Sequence, residues 1–167
     1  MNKYQILINK ILTLNDLLLK IKNWRDNGDI IVFTNGCFDL IHVGHIEYLT
    51  KAADMGDRLI IGLNTDESVK RLKGPDRPIL DENARAKTLS ALFFVDVVTL
   101  FNEDTPYELI DAIKPDILVK GGDYEIDEII GADIVKSYDG KVEIIPLVPG
   151  YSTTNIINKI NKLYDNN

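Results

Sequence analysis

The sequence predicts a doubly wound, Rossmann-like α/β fold, in which helices cover both faces of a parallel sheet. Short apolar runs such as residues 30–34 and 58–64 lack the polar and apolar alternation of half-exposed strands, as is typical of strands buried on both faces. Segments with helical spacing of apolar residues separate these runs, as connections between parallel strands require. A length of 167 residues suits one domain. We therefore predict a single domain over residues 1–167, with an N-terminal helical extension at residues 1–28.

The predicted helices and strands alternate along the chain. The first helix has a capping residue, Thr13, before its helical spacing, and two prolines and a glycine make residues 73–80 a loop. Residues 121–140 are the least regular part of the chain, and no element is predicted there. The predicted helices are residues 13–27, 44–53, 67–72, 82–92, 105–113 and 154–163, and the predicted strands are residues 30–34, 58–64, 95–101, 117–119 and 143–148.

The composition restricts the class of protein and its partners. The formal net charge of −7 argues against a broad basic surface for duplex nucleic acid. The longest apolar runs are far shorter than the roughly 20 residues of a membrane span, and the N-terminus lacks the apolar stretch of a secretory signal. The single cysteine, Cys37, has no partner for an internal disulfide. We therefore expect a cytoplasmic protein with neither nucleic acid nor a membrane as its partner.

Residues 34–45 carry the strongest indication of chemistry. They follow the first predicted strand and read Thr-Asn-Gly-Cys-Phe-Asp-Leu-Ile-His-Val-Gly-His. His42 and His45 are the two histidines of the chain, and they stand at the predicted start of a helix, where ring N–H groups, backbone donors and the helix dipole favour an anion. Gly36 and Gly44 allow a phosphate to approach the backbone closely. The alternative is that both histidines merely cap and pack at the helix start.

Three further segments supply candidate contacts to phosphate. Lys73, in the predicted loop, has a flexible ammonium that can reach phosphate oxygens. The paired glycines of residues 120–123, Lys-Gly-Gly-Asp, can expose backbone N–H groups to a ligand. Residues 152–154, Ser-Thr-Thr, precede the last predicted helix and are good N-caps. Each segment also has an ordinary interpretation, as a solvated lysine, a glycine turn or a helix cap.

Several charged or reactive residues of these segments have no assigned role. A carboxylate such as Asp39 repels a triphosphate unless it meets a cation or fixes a neighbouring loop, so we predict no protein ligand to a metal. Nothing near Cys37 in the sequence supplies a base for thiolate catalysis, and we assign it to packing. Arg71, Arg77 and Arg85 remain unassigned, because each can equally face water.

Residues 36–45 resemble the signature of the cytidylyltransferase-like nucleotidyltransferase superfamily, Gly-x-Phe-Asp-x-x-His-x-Gly-His. This resemblance implies the Rossmann-like nucleotidyltransferase fold. Further segments are more narrowly similar to the adenylyltransferase domains of ADP-heptose synthases, and the likeness runs over about residues 30–160. Those segments are residues 33–39, 70–74 with 77–78, 118–124 and 152–157.

The resemblance also implies roles for individual residues. His42 and His45 would bind the phosphates and stabilise the transition state at the α-phosphorus. Lys73 would neutralise charge on the triphosphate or on the sugar phosphate, and these three residues are the catalytic candidates. The implied nucleotide-binding residues are Thr34, Asn35, Gly36, Phe38, Gly44, Lys120, Gly122, Asp123, Ser152, Thr153 and Thr154.

The implied reaction transfers AMP from ATP to D-glycero-β-D-manno-heptose 1-phosphate and yields ADP-heptose and pyrophosphate for the lipopolysaccharide inner core. The implied partners are a nucleoside triphosphate, a sugar 1-phosphate and a second copy of the chain in a homodimer, with Mg²⁺ bridging the phosphates. Because 167 residues leave no room for a sugar kinase domain, we expect a separate kinase in the pathway. The alternatives are a cytidylyltransferase or guanylyltransferase for another sugar or alditol phosphate, and an inactive nucleotide-sensing domain.

Overall fold

A computed structural model describes residues 2–122 and 125–164 of the chain. The helices in this part of the chain are Lys3–Ile8 (α1), Leu14–Asp26 (α2), Val43–Ala53 (α3), Asp66–Lys73 (α4), Glu82–Ser90 (α5), Tyr107–Ile113 (α6), Ala132–Ser137 (α7) and Thr153–Tyr164 (α8). Its strands are Ile31–Gly36 (β1), Arg58–Asn64 (β2), Val97–Phe101 (β3), Ile117–Gly121 (β4) and Lys141–Ile145 (β5). A short 3₁₀ helix, Ile126–Glu128, precedes α7. None of the described helices is long and apolar enough to cross a bilayer.

The strands form one parallel sheet in the order β3-β2-β1-β4-β5, so the direction in which strands are added reverses between β1 and β4. Helices α3 and α5 pack on one face of the sheet, and α2, α6 and α7 pack on the other. Strands β1 to β4 are largely apolar on both faces, as is typical of strands whose two faces are covered. This arrangement confirms the predicted doubly wound fold and places a topological switch point at the β1–β4 boundary.

The N-terminal segment belongs to the body of the fold. Helix α2 buries Leu17 and Trp24 in the same core as α6 and α7. The chain just before it runs beside the edge strand β3, where Ile11 pairs with Val98. Since Leu17 and Trp24 are buried within their own chain, they are not available as a contact between two copies.

The structure differs from the predicted elements at the short ones. Helices α1 and α7 were not predicted, because six residues make fewer than two turns and give no periodic pattern. Strand β1 continues beyond its predicted end to Gly36, because Asn35 and Gly36 pair with β2 despite their low strand propensity. The prediction that Lys73 lies in a loop is wrong, since Lys73 is the last residue of α4.

Candidate active site

A cleft of about 660 Å³ lies at the carboxyl ends of the central strands, beside the point where the strand order reverses. Open α/β sheets bind their ligands at this position. The end of β1, the start of α3, the end of α4, the end of β4 and the start of α8 contribute to its wall. The predicted site residues that line the cleft are Asn35, Gly36, Phe38, His42, Gly44, His45, Lys73, Lys120, Ser152, Thr153 and Thr154.

The other predicted site residues are placed differently. Thr34 lies inside β1 and is fully buried, and its hydroxyl bonds to that of Tyr48 at 2.6 Å, so it does not reach the cleft. Gly122 is also buried, and its N–H donates to the carbonyl of Ile145 at 3.1 Å. The prediction of a free backbone donor at Gly122 is therefore wrong, because the β4–β5 ladder extends to it. Asp123 lies outside the described residues.

His42 and His45 stack on each other at the start of α3, with ring centroids 3.8 Å apart and planes 20° from parallel. His42 is the N-cap residue of α3, but its side chain makes no capping hydrogen bond. The edge of the Phe38 ring packs on His45 at a centroid distance of 5.4 Å. The Nδ1 atoms of both histidines are buried without a hydrogen-bond partner in the described part of the chain. Each ring thus keeps hydrogen-bonding capacity that the protein does not use, which argues against a purely structural role.

The surroundings of both imidazoles favour the uncharged form at neutral pH. Burial, followed by the charge of the neighbouring His42, lowers the pKa of His45 to about 4. Burial also lowers the pKa of His42. An anion beside the rings would raise both pKa values, because negative charge favours the imidazolium form. The histidine pair is therefore suited to gain positive charge when a polyanion binds.

Lys120 joins the two strands that flank the switch point. Its Nζ donates to Oδ1 of Asn35 at 2.6 Å. Burial lowers the pKa of Lys120 to about 8, an effect that the nearby Cys37 partly counteracts. An ammonium has three donors, so the contact with Asn35 leaves donors for phosphate oxygens.

Lys73 contributes a second ammonium from the end of α4. The two other basic residues of that helical turn are engaged, Lys70 with Glu67 and Arg71 with Asp104. Lys73 has no ion-pair partner within residues 2–122 and 125–164, and it lines the cleft. A lysine that is free of carboxylates at the end of a helix can reach a bound anion without first breaking an ion pair.

Asp39 fixes the loop between α4 and α5. Its buried carboxylate accepts from Nε of Arg77 at 2.8 Å and from the backbone N–H groups of Ile79 and Leu80 at 2.8 and 2.9 Å. Burial by itself would raise the pKa of Asp39, but these donors hold its pKa below the ordinary value. Of the two roles open to this carboxylate, the structure shows the fixing of a neighbouring loop, and it gives Arg77 a role as well.

Arg85 is a structural residue of the site that has no distinguishing signal in the sequence. It is completely buried, and it donates to the carbonyls of Cys37 and Leu80 at 2.6 and 3.0 Å and to Asp66 at 2.7 Å. The planar guanidinium thereby ties the end of β1 to the α4–α5 loop and to the start of α4. A helical arginine gives the same sequence pattern whether it is buried or faces water.

The start of α8 borders the cleft on the histidine side. The Ser152 hydroxyl accepts from the N–H of Asn155 at 3.0 Å, so it caps the helix as its position predicts. The Thr153 hydroxyl donates to the carbonyl of Leu40 at 3.5 Å and joins α8 to the segment that leads into α3. The positive end of the dipole of α8 thus lies at the cleft wall.

Gly44 is required by packing within the protein. A Cβ atom there would lie 3.1 Å from the His42 ring and 3.1 Å from Cβ of Tyr151. Those distances are shorter than ordinary van der Waals contacts. Gly44 therefore lets His42 and Tyr151 pack closely, and the approach of a phosphate to its backbone stays a prediction.

Part of the cleft wall comes from residues outside the motifs. Asn64 is the last residue of β2 and lines the cleft. The sequence predicted it as the end of a strand, and its position at the carboxyl end of a parallel strand is the signal that could have identified it as a lining residue. The others lie on helices or loops without any local pattern. They are Tyr48, Asp104, Pro106, Glu128, Ile129, Ile130, Leu147 and Val148.

The donor set of the cleft suits phosphate better than it suits a resident metal. Within residues 2–122 and 125–164, no group of three or more His, Cys, Asp or Glu side chains could hold a metal ion. The one carboxylate of the histidine segment, Asp39, is engaged by Arg77 and the backbone. Mg²⁺ that travels with a triphosphate takes most of its ligands from phosphate and water. The residues present therefore fit a cation carried by the nucleotide.

Comparison with known proteins identifies the family. The sequence pattern described as cytidylyltransferase-like matches residues 33–159. The chain belongs to the cytidylyltransferase-like family. Members of this family are nucleotidyltransferases, and the membership confirms the superfamily that the His42–His45 motif predicted.

Curated relatives agree with this assignment. The bifunctional protein HldE of Methylobacillus flagellatus is 56% identical over 151 residues, which are 90% of this chain and 31% of the relative. HldE of Syntrophotalea carbinolica is 57% identical over 141 residues, which are 84% of this chain and 29% of the relative. The cytidylyltransferase-like chain thus spans less than a third of the length of these relatives.

Solved structures support the fold. A lipopolysaccharide core biosynthesis protein from Thermoplasma volcanium has 32% identity and a TM-score of 0.58, over 72% of this chain and 98% of that one. A pantoate-β-alanine ligase from Francisella tularensis, crystallised with an ATP analogue and β-alanine, has 17% identity and a TM-score of 0.58, over 93% of this chain and 77% of that one. At 17% identity the ligase shows a shared fold alone.

Proposed function

We propose that this chain transfers AMP from ATP to D-glycero-β-D-manno-heptose 1-phosphate and releases pyrophosphate, giving ADP-heptose. The observation that carries the proposal is the stacked pair His42 and His45, whose Nδ1 atoms have no partner in the described part of the chain, in a cleft that Lys73 and Lys120 also line. Identity above 50% to proteins named HldE, together with the motifs shared with ADP-heptose synthases, supports the choice of ATP and a heptose phosphate.

The mechanism requires no protein nucleophile, because the acceptor is itself a phosphate that is ionised near neutral pH. An oxygen of the sugar 1-phosphate attacks the α-phosphorus in line, the bond from that phosphorus to the bridging oxygen breaks, and pyrophosphate leaves. The protein contributes positioning and charge stabilisation. His42 and His45 would donate to the oxygens of the α-phosphate, while Lys73, Lys120 and the start of α8 would hold the remaining phosphates.

We propose Mg²⁺ as the cofactor. Mg²⁺ would offset negative charge on the triphosphate. It commonly binds with few protein ligands and takes its other ligands from phosphate and water. The proposal rests on the chemistry of the triphosphate, whose charge a divalent cation offsets. Loss of turnover in EDTA, with recovery on addition of Mg²⁺, is the expected result.

The choice of base and acceptor is tested by a matrix of substrates. Each of ATP, GTP, CTP and UTP is combined with heptose 1-phosphate, other sugar 1-phosphates and alditol phosphates, and released pyrophosphate is measured. The proposal predicts the fastest turnover for ATP with the heptose phosphate. A higher kcat/KM for CTP or GTP with another acceptor would replace it with the cytidylyltransferase or guanylyltransferase alternative. Binding of nucleotide without turnover of any pair would favour an inactive nucleotide-sensing domain.

The cellular context is also a proposal. We propose a homodimer in the cytoplasm, where ATP is available, and a sugar kinase that supplies the heptose phosphate. The relatives named as bifunctional are about three times as long as the matched region. We therefore propose that the kinase activity lies outside the matched region, either on a separate protein or linked to this sequence. Light scattering of the purified protein tests the dimer.

A further inference from the structure

Strands β1 and β4 separate beyond the switch point. They pair at two positions, the second being Phe33 opposite Leu118. Each strand then continues for three residues and pairs solely with its other neighbour, β2 or β5. Residues 34–36 and residues 119–121 therefore border a gap in the ladder, and this gap opens into the cleft.

Tyr48 of α3 closes the gap with a hydrogen-bonded bridge. The Tyr48 hydroxyl donates to the carbonyl of Val119 in β4 at 3.2 Å. Since its one proton is used there, it accepts from the hydroxyl of Thr34 in β1, which lies 2.6 Å away. We call this arrangement the Tyr48 bridge. Burial raises the pKa of Tyr48 to about 12, so the phenol keeps its proton at neutral pH. The bridge satisfies a backbone carbonyl that the missing ladder leaves without a strand partner.

A second bridge lies on the opposite face of the sheet. Asn35 and Lys120 each follow a residue of the Tyr48 bridge in sequence, and successive side chains of a strand point to opposite faces. Thr34 thus faces α3, whereas the 2.6 Å contact between Lys120 and Asn35 lies on the side of α6 and α7. Hydrogen bonds therefore span the gap on both faces of the sheet. The neutral hydroxyls of Thr34 and Tyr48 lie on one face, and the Lys120 ammonium lies on the other.

The ring of Tyr48 is seated against β4. A Cβ atom at Gly121 would lie 3.1 Å from this ring, so a glycine is needed for the ring to approach the strand. Tyr48 also follows His45 by three residues, which places both side chains on one side of α3. The same side chain that spans the gap therefore fixes the helical turn that carries His45.

We propose that Tyr48 is a positioning residue for nucleotidyl transfer. Its hydroxyl holds β1 and β4 at the separation that lets Lys120 reach Asn35, and it keeps His45 at the wall of the cleft. The expected effect on kcat rests on the proposed function. The expected effect on the positions of Lys120 and His45 rests on the geometry of the gap alone.

The test compares the loss of the hydroxyl at Tyr48 with the same loss at Tyr138, since each hydroxyl donates to a backbone carbonyl. Tyr48→Phe removes the bridging hydroxyl, and Tyr138→Phe removes a hydroxyl that donates to the carbonyl of Pro115 at 3.0 Å, away from the cleft. A shift of about 1 Å in a reacting group costs up to about 100-fold, so we expect kcat to fall roughly 10- to 100-fold in Tyr48→Phe. We expect KM for ATP to change less than about threefold, because ground-state contacts with phosphate depend less on alignment. Tyr138→Phe keeps the kcat of the natural sequence.

A double-mutant cycle tests whether the hydroxyl acts through Thr34. Thr34→Val removes the other half of the bridge, and the two losses in kcat should not multiply if both variants break one interaction. If Tyr48→Phe folds poorly, Thr34→Val alone carries the kinetic comparison with Tyr138→Phe. Losses that multiply as if they were independent would contradict the bridge.

A readout other than turnover separates this inference from the proposed function. The chain has two histidines, so their imidazole resonances can be followed by NMR as the pH changes. In Tyr48→Phe the pKa of His45 should rise from about 4 toward its ordinary value as the turn loosens, and in Tyr138→Phe it should not. If the protein turns over no substrate pair but the pKa moves as expected, the proposed function fails and the positioning role stands. An unchanged kcat and an unchanged His45 pKa in folded Tyr48→Phe would overturn the role.

Discussion

At the scale of the residue, the site is defined by two imidazoles whose ring nitrogens the protein leaves partly unused. Buried polar atoms without partners cost free energy, and native proteins retain few of them. The Nδ1 atoms of His42 and His45 are two such atoms, and they lie in the same stacked pair at the cleft. A triphosphate in the cleft would bring negative charge beside the rings, and this charge would stabilise their protonated, hydrogen-bond-donating form.

Replacing His45 with alanine should reduce turnover with little effect on folding. The imidazole is expected to donate to charge that develops on the α-phosphate, and removal of one such donor costs about 100- to 1000-fold in kcat. Steady-state pyrophosphate release measures the effect, and thermal unfolding confirms that the fold persists. Phe93→Ala is the matched control, because that ring is 90% exposed and does not line the cleft. Turnover of His45→Ala near that of the control would remove His45 from the mechanism.

Nucleotide binding should take up a proton at the histidine pair. The pKa of His45 is about 4 in the free protein, and the charge of a triphosphate raises it, so uptake is expected between about pH 4 and pH 7. Affinity should therefore increase as the pH falls from 7 to 6. Calorimetry at pH 6 in two buffers of different ionisation enthalpy measures the protons taken up. Comparison with His45→Ala cancels the protonation of ATP itself, and equal uptake by both proteins would contradict the assignment.

Residues that belong to a contiguous motif could be predicted from the sequence. His42, His45 and Gly44 form a contiguous motif, and all of them line the cleft. Asp39 contacts Arg77 across 38 residues and Arg85 contacts the Cys37 carbonyl across 48, and no local pattern reports such contacts. Tyr48 contacts the Val119 carbonyl across 71 residues. These supporting roles depend on tertiary structure and could not be derived from spacing.

At the scale of the element, the α4–α5 loop depends on a single buried carboxylate. Replacing Asp39 with asparagine leaves Arg77 and two backbone N–H groups without their charged acceptor, which should destabilise the protein by about 1–3 kcal/mol. Urea unfolding followed by the fluorescence of Trp24, the one tryptophan of the chain, measures the free energy of unfolding.

A second carboxylate serves as the control for that measurement. Asp104 is paired with Arg71 on the surface, so Asp104→Asn should change stability by less than about 1 kcal/mol. Equal destabilisation by the two substitutions would show that the loop does not depend on Asp39.

Long elements were predicted with good bounds, and short ones were not. Strand β2 begins and ends where the apolar run does, and α2 begins after its predicted cap, Thr13. Helix α7 was missed because it follows an irregular segment and starts after Gly131, which has a positive φ of 87° and, as a glycine, no side chain to cap the helix. Helix α8 was predicted at residues 154–163, yet none of its residues is buried. Periodicity reports an amphipathic face but not what covers it.

At the scale of the whole molecule, the location of the site follows from the order of the strands. The alternation of strands and helices predicted a parallel sheet, and a parallel sheet places ligands at its carboxyl edge. The order β3-β2-β1-β4-β5 then selects the β1–β4 boundary within that edge. This order could not be predicted from the sequence, because an apolar run does not report which other strands it pairs with. The strand ends at Asn35 and Lys120 became one site when the structure placed them side by side.

The central claim is that the α-phosphorus of ATP is transferred to the phosphate of the heptose. The most direct test supplies ATP labelled with ³²P at either the α or the γ position, together with D-glycero-β-D-manno-heptose 1-phosphate. The account predicts that the α label appears in ADP-heptose and the γ label in pyrophosphate, and that His45→Ala slows both. Recovery of the α label as unreacted ATP, from a protein that is folded and binds the nucleotide, would contradict it.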